Sequence, residues 1–304
     1  MKYGAIIKEI GRGAKGARDL DTAAAAALFG DILDGVVPEL ELGAILIAFR
    51  IKSEALPELL GFKQAMDART AQVAVPEGPR CVVLPTYNGA RRQANLMPLV
   101  ALLLAREGVP VLIQGRHDFE TRVSPFELLA ALDLHPAADA AQASAQLAQQ
   151  RLACIGVDKL LPGLDPLLAL RIRMGVRASG HTMAKLIDPC RGRSVRVVAV
   201  THPEYLERMD DFLRADGGRA MLMRGTEGEI YANPRRCPEM KVYVDGAASV
   251  GVPGEEGGAP PVAGLPDAPS VAENAALIRA MLAGEIAVPA PIRAQVAALA
   301  SLAT

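Results

Sequence analysis

From residue 81 onward, short apolar runs at 82–84, 109–113, 152–155, 195–200, 219–223 and 241–244 alternate with stretches of helical pattern, one of them at 96–106. Runs of this length are too short for buried helices, and parallel strands need a crossover of about a dozen residues, which these intervals supply. The alternation therefore predicts an α/β fold whose central sheet is mostly parallel. Ahead of it, residues 1–70 read as a small helical domain. Asp21 or Thr22 caps a helix running through Gly30, Gly35 closes the next turn, a third helix covers about 41–51, and a fourth covers 57–68 with Ser53 as its cap. Residues 71–80 form a linker, 81–304 the α/β domain, and part of 160–190 is expected to pack with the helical domain. A glycine- and proline-rich loop at 251–269 precedes two last helices near 270–282 and 291–302.

The composition narrows the function classes. The 304 residues are 51% apolar, yet no uninterrupted apolar run reaches the roughly 18–20 residues that a membrane helix needs. The opening decapeptide is too short and too charged for a secretory signal, so the cytoplasm is the expected compartment and no membrane partner is expected. Cys81, Cys154, Cys190 and Cys237 lie far apart without a Cys-x-x-Cys pair and read as reduced thiols. None of His117, His135, His181 and His202 is spaced like a metal-ligand pair. Gly11-Arg12-Gly13-Ala14-Lys15-Gly16 follows a helical segment and not a strand, so it reads as a basic loop rather than a phosphate cradle.

A different segment stands where a phosphate-binding loop belongs. Pro85-Thr86-Tyr87-Asn88-Gly89-Ala90-Arg91-Arg92-Gln93-Ala94-Asn95 follows the apolar run Cys81-Val82-Val83-Leu84 and precedes the helix at 96–106. Strand, loop and helix in that order aim unpaired amides at an anion. This part of the chain resembles the anthranilate phosphoribosyltransferase family, whose loop reads Gly-Thr-Gly-Gly-Asp-Gly-x-x-Thr-Phe-Asn. Thr86, Ala90 in a glycine's place, and Asn95 fall in register without a gap. Pro85, Tyr87 and Asn88 replace the other loop glycines, and Gly89 replaces the aspartate.

Two further family motifs are also altered. Gly-Val-x-Val-x-Lys-His-Gly-Asn falls on 108–116, where Ile113, Gln114 and Arg116 replace its lysine, histidine and asparagine. Gly-x-Asp-Gly-x-Asp-Glu falls on 225–231, where Ile230 and Tyr231 replace the pair that would hold magnesium. Phosphoribosyl diphosphate is polyanionic, and its pyrophosphate leaves only with a metal and backbone amides to stabilise it. The resemblance thus implies a degenerate substrate loop at Pro85, Thr86, Tyr87, Asn88, Gly89 and Asn95, no metal site, no cofactor and no catalytic residue. The N-terminal wording around 32–52 resembles the family's helical domain, which implies two domains and a homodimer formed through that domain, with Leu42, Leu46 and Phe49 at or under the contact.

Charge distribution points to a partner. The net charge is −1, but residues 171–196 carry seven cations (Arg171, Arg173, Arg177, Lys185, Arg191, Arg193 and Arg196) against the single acid Asp188. Arg91, Arg92, Arg116 and Arg122 add to these from the loops, and Arg235 and Arg236 from a later turn. In the family's fold such loops face the cleft between the domains. Arg177 matches an arginine that helps to hold the aromatic substrate's carboxylate, whereas Ser179-Gly180-His181-Thr182-Met183-Ala184-Lys185 resembles the YbiB branch, whose members are non-catalytic and bind nucleic acid. The expected nucleic-acid contacts are Arg91, Arg92, Arg116, Arg171, Arg173, Arg177, Lys185, Arg191 and Arg193. They would neutralise backbone phosphates of DNA or RNA with little sequence preference. With no tryptophan, and Tyr87 the only aromatic of the loop, base stacking is not expected to dominate. The alternatives are an active phosphoribosyltransferase using magnesium, or a small-molecule sensor that keeps the old cleft.

Overall fold

The computed structural model describes residues 2–13, 15–116 and 122–304. The helices are α1 (Lys2–Ile10), α2 (Thr22–Leu33), α3 (Glu39–Lys52), α4 (Leu56–Asp67), α5 (Met97–Arg106), α6 (Pro125–Ala131), α7 (Ala140–Gln150), α8 (Val157–Leu160), α9 (Leu164–Met174), α10 (Ser179–Met183), α11 (Pro203–Asp216), α12 (Val271–Ala283) and α13 (Ala290–Ala303). The strands are β1 (Cys81–Thr86), β2 (Val111–Gly115), β3 (Leu152–Gly156), β4 (Ser194–Val200), β5 (Arg219–Arg224), β6 (Met240–Val244) and β7 (Ala247–Val252). Contacts divide the chain into two units, Met1–Ala71 with Val157–Pro189, and Gln72–Gly156 with Cys190–Thr304.

The first unit is helical. Asp21 caps α2 by accepting the Ala24 amide at 2.8 Å, so the aspartate of the two candidate caps is the one used. Its core is aromatic: Phe29 stacks on Phe62 at 4.6 Å and Phe49 meets Phe62 edge-on at 5.2 Å. Gly61 permits the close approach of α2 and α4, since a Cβ there would lie 2.4 Å from the Thr22 carbonyl oxygen. Ser53 does not begin α4. It ends α3 with φ 69°, and the buried Glu58 organises the start of α4 by accepting the Ala55 amide at 2.8 Å and Lys52 Nζ at 2.7 Å.

The second unit is built on a seven-stranded sheet in the order β3-β2-β1-β4-β5-β6-β7. The first five strands run parallel, and β6 and β7 are antiparallel additions at one edge. Strands β1 and β4 are buried along their whole length, as expected of a parallel sheet covered on both faces. Leu99, Val100 and Leu104 of α5 and Ile292, Val296 and Leu299 of α13 belong to the apolar core shared with Val82, Leu84, Val195 and Val197. The sequence pattern gives no warning of β7: Ala247-Ala248-Ser249-Val250-Gly251-Val252 lies at an exposed edge and lacks the run of large apolar residues that marks the other strands. Among the described residues, no helix is long and apolar enough to cross a membrane.

Candidate functional site

The strand order reverses between β1 and β4, with β2 and β3 on one side and β4 and β5 on the other. In an open parallel sheet such a point leaves a crevice beyond the carboxyl ends of the strands. The loop that follows β1 and the turn that follows β5 both emerge at that end. In the turn, the Glu229 amide donates to the Thr226 carbonyl at 2.9 Å, with Glu227 at φ 53° and Gly228 at φ 92°. Positive φ at both central positions is the type I′ arrangement. Gly228 adopts it freely, and a Cβ there would sit 2.7 Å from Asn88 Nδ2. Glu227 adopts it at a cost of about 1 kcal/mol.

The turn delivers two carboxylates to the loop after β1. Glu229, fully buried, accepts the amides of Asn88 and Gly89 at 2.8 Å each and the Thr86 hydroxyl at 2.8 Å. Glu227, half-buried, accepts three successive amides, from Arg91 at 3.1 Å, Arg92 at 2.8 Å and Gln93 at 3.1 Å. A buried carboxylate is tolerated only when donors fill its lone pairs, and consecutive amides are what an anion-binding nest offers. Asn88 Nδ2 donates to the Gly228 carbonyl at 2.8 Å and locks loop to turn. The anion seat of the loop is thus filled by the chain's own side chains.

The other substitutions are mutually satisfied in the same way. The buried Tyr87 hydroxyl donates to Oε1 of the buried Gln114, so a residue replacing a loop glycine bonds one replacing the second motif's histidine. Ile230 and Tyr231 are buried, and Gln295 Nε2 donates to the Ile230 carbonyl at 2.6 Å. Among the described residues the Tyr231 hydroxyl has no hydrogen-bond partner, and burial, reinforced by the charges of Glu227 and Glu229, holds its phenol well above the usual tyrosine range. A hydrocarbon and a neutral phenol do not fit magnesium, and the two nearby carboxylates are engaged by amides. Among the described residues no group of three or more His, Cys, Asp or Glu is arranged to hold a metal ion. Asn95 has a structural role: its amide donates to Asn274 Oδ1 at 2.7 Å and its Nδ2 to the Val123 carbonyl at 3.2 Å. Pro85 is buried as the fifth residue of β1.

The basic residues fall into separate groups. Arg91 and Arg92 are exposed, and among the described residues their guanidinium groups have no partner. Arg116 is half-buried, its amide donating to the Thr86 carbonyl at 3.1 Å, and Arg122 Nη1 reaches the Gly89 and Glu227 carbonyls at 3.3 and 3.4 Å. Arg191 and Arg193 are not part of this group. They precede β4, whose Ser194 pairs with Cys81 at the start of β1, so they lie at the amino end of the sheet, away from the loop. Arg193 there donates to the carbonyls of Pro76, Gly78 and Pro79 at 3.2, 2.7 and 3.4 Å, a structural clamp. Arg196 is buried against Asp216, while Arg235 pairs with Asp267 and Arg236 with the Gly257 carbonyl.

In the first unit, Arg171 and Arg173 occupy the last turn of α9, where the helix end favours cations. Arg173 pairs with Glu39 at 3.3 Å, which raises the arginine's pKa and lowers the glutamate's. Arg177 is exposed beyond the cap Gly175, and Lys185 is half-buried in a 3-10 turn over Ala184–Leu186. His117 lies outside the described residues. The residues that the sequence reading passed over are Glu227 and Glu229. The signal was present in Glu-Gly-Glu, two acids flanking a turn glycine in the motif that lost its metal ligands.

Residues 5–70 match the helical bundle domain of the glycosyl transferase family. The uncharacterized protein YbiB of Escherichia coli K12 is 47% identical over 244 residues, covering 80% of this chain and 76% of YbiB. The chain belongs to the YbiB branch of the anthranilate phosphoribosyltransferase-like glycosyltransferases. Anthranilate phosphoribosyltransferase of Methylobacterium radiotolerans is 29% identical over 210 residues, 69% of this chain and 60% of the enzyme. The crystal structure of the Thermus thermophilus enzyme superposes with a TM-score of 0.75 at 23% identity, over 98% of this chain and 87% of that one, which establishes the shared fold. Within that family the loop of this branch member is closed by its own acids.

Proposed function

We propose that this protein is a non-catalytic member of its family that binds DNA or RNA through backbone phosphates with little sequence preference. The observation that carries the reading is the occupancy of the loop after β1. Its amides are held by Glu227 and Glu229, while the Arg91 and Arg92 guanidinium groups remain exposed. A pyrophosphate would have to expel a buried carboxylate and would meet no acidic pair to bring magnesium. A phosphodiester at the rim needs only the guanidinium groups. The exposed cations Arg173 and Arg177 of the first unit would supply further phosphate contacts.

The reading includes a homodimer in the cytoplasm, formed through the helical domain. Leu46 and Phe49 are each only 1% exposed inside the first unit's own core and Leu42 is half-buried, so Leu46 and Phe49 would lie under such a contact rather than at it. The face that a second copy would cover carries Val36, Leu40, Ile47 and Ile51, exposed at 58, 83, 38 and 60% and spaced to share one side of α3 and its approach.

A mobility-shift assay with mixed-sequence duplex and single-stranded DNA and RNA, run beside calorimetry with phosphoribosyl diphosphate and magnesium, tests the proposal. Salt-sensitive binding of at least one nucleic acid, with no sub-millimolar heat from the sugar phosphate, is expected. Micromolar binding of the sugar phosphate would restore the enzyme reading.

A further inference from the structure

Glu227 and Glu229 hold the same loop, but they are not equivalent. Glu229 is fully buried and its oxygens are closed in by Thr86, Asn88 and Gly89. Glu227 is half-buried, and the contacts its carboxylate makes are to three backbone amides, with none to the guanidinium groups of Arg91 and Arg92 that flank them. An anion seated on two arginines' amides without engaging either side chain uses only part of what the site offers. A phosphate oxygen at the same place would take the amides and place its remaining oxygens within reach of the arginines.

We propose that the Arg91-Arg92-Gln93 amide nest is a phosphodiester site of the nucleic-acid surface, and that Glu227 occupies it in the free protein and leaves it when a backbone phosphate arrives. The proposal rests on the nucleic-acid reading above and adds its regulation: the acid is an internal competitor. The exchange asks little of the backbone. Asn88 Nδ2 holds the Gly228 carbonyl at 2.8 Å and the Thr226 hydroxyl holds the Tyr231 carbonyl at 2.9 Å, so the turn stays in place while one side chain rotates. The displaced carboxylate has room, because Glu227 lines a cavity of about 650 Å³ whose walls also carry Arg224 and Arg236. A competitor of this kind lowers affinity for stray anions that bring a single phosphate. A polyanion that also engages other cations overcomes it.

The test compares Glu227→Gln with Glu256→Gln, which removes an equal charge from an exposed position in the same unit that makes no contact with the nest. Dissociation constants for a labelled mixed-sequence oligonucleotide are measured by anisotropy at one salt concentration. Glu227→Gln is expected to bind at least about fivefold tighter than the parent, the lower end of typical coupling between two ligands of one protein. Glu256→Gln should change affinity less than half as much, and the gain should vanish when Arg91→Ala and Arg92→Ala are added. Equal effects from Glu227→Gln and Glu256→Gln would overturn the exchange while leaving nucleic-acid binding intact. Absence of oligonucleotide binding by the parent would remove the underlying reading instead. Should Glu227→Gln fold poorly, amide NMR of the parent decides: the Arg91, Arg92 and Gln93 signals must move on adding oligonucleotide, and unmoved signals overturn the proposal. Inorganic phosphate forms a separate arm. If it shifts those amides at micromolar concentration in the parent, the nest serves free phosphate and not a phosphodiester.

Discussion

The loop at 85–95 and the basic segment at 171–196 are both rich in arginine, and acids reach them in opposite ways. At the loop, Glu227 takes the backbone amides of Arg91 and Arg92 and leaves the guanidinium groups exposed. In the basic segment the acids take the guanidinium groups themselves: Glu39 holds Arg173 and Asp216 holds Arg196, while carbonyls hold Arg193. A count of cations along a chain is therefore not a count of cations available to a ligand. Two exposed arginines whose backbone is anchored are better placed to bind phosphate than a longer run whose partners come from distant acids.

The largest expected effect tests whether the anchoring is real. Glu229→Ala leaves two buried amides and a buried hydroxyl unsatisfied, and should lower unfolding stability by roughly 2–5 kcal/mol in urea melts. An unchanged midpoint would mean that the carboxylate does not close the loop. Next in size is the contrast between the two regions. Arg91→Ala with Arg92→Ala should lower the salt slope by about 0.9 per lost contact on duplex DNA, or about 0.7 on single strands, with similar affinity loss for unrelated sequences. Arg173→Ala with Lys185→Ala should cost less, because Arg173 is already paired with Glu39. A larger loss from the second pair would invert the comparison, and a loss confined to one sequence would require base reading.

A third measurement concerns the first unit alone. Leu40→Glu with Ile47→Glu should convert a dimer into a monomer by light scattering without unfolding it, whereas a parent already monomeric at micromolar concentration would leave that apolar face without its proposed partner. The smallest effect extends the comparison to an acid whose partners are side chains. Burial alone would raise the Asp210 carboxyl, but hydrogen bonds from Tyr243, Arg214 and Lys241 hold it below the usual aspartate value. Its stabilising contribution is therefore present above the unfolded-state pKa and is lost as pH falls through the lower folded value. Melts at about pH 5 and about pH 3 should show a steeper acid loss for the parent than for Asp210→Asn. Parallel losses would show that the carboxylate is not engaged in solution.

Much of the architecture was legible because apolar periodicity is a local property. Parallel strands, their crossover helices and the final pair of helices each carry their own signature within about a dozen residues. The three altered motifs were legible too, as departures from a family pattern at Tyr87, Gln114, Ile230 and Tyr231. The sequence alone could not tell which of its charged residues are open to a ligand, nor that Leu46 and Phe49 face inward while Leu40 and Ile47 face out. Those outcomes depend on partners far apart in the chain. Glu229 meets Asn88 across 141 positions and Glu39 meets Arg173 across 134, separations that no local pattern encodes and that only packing brings together.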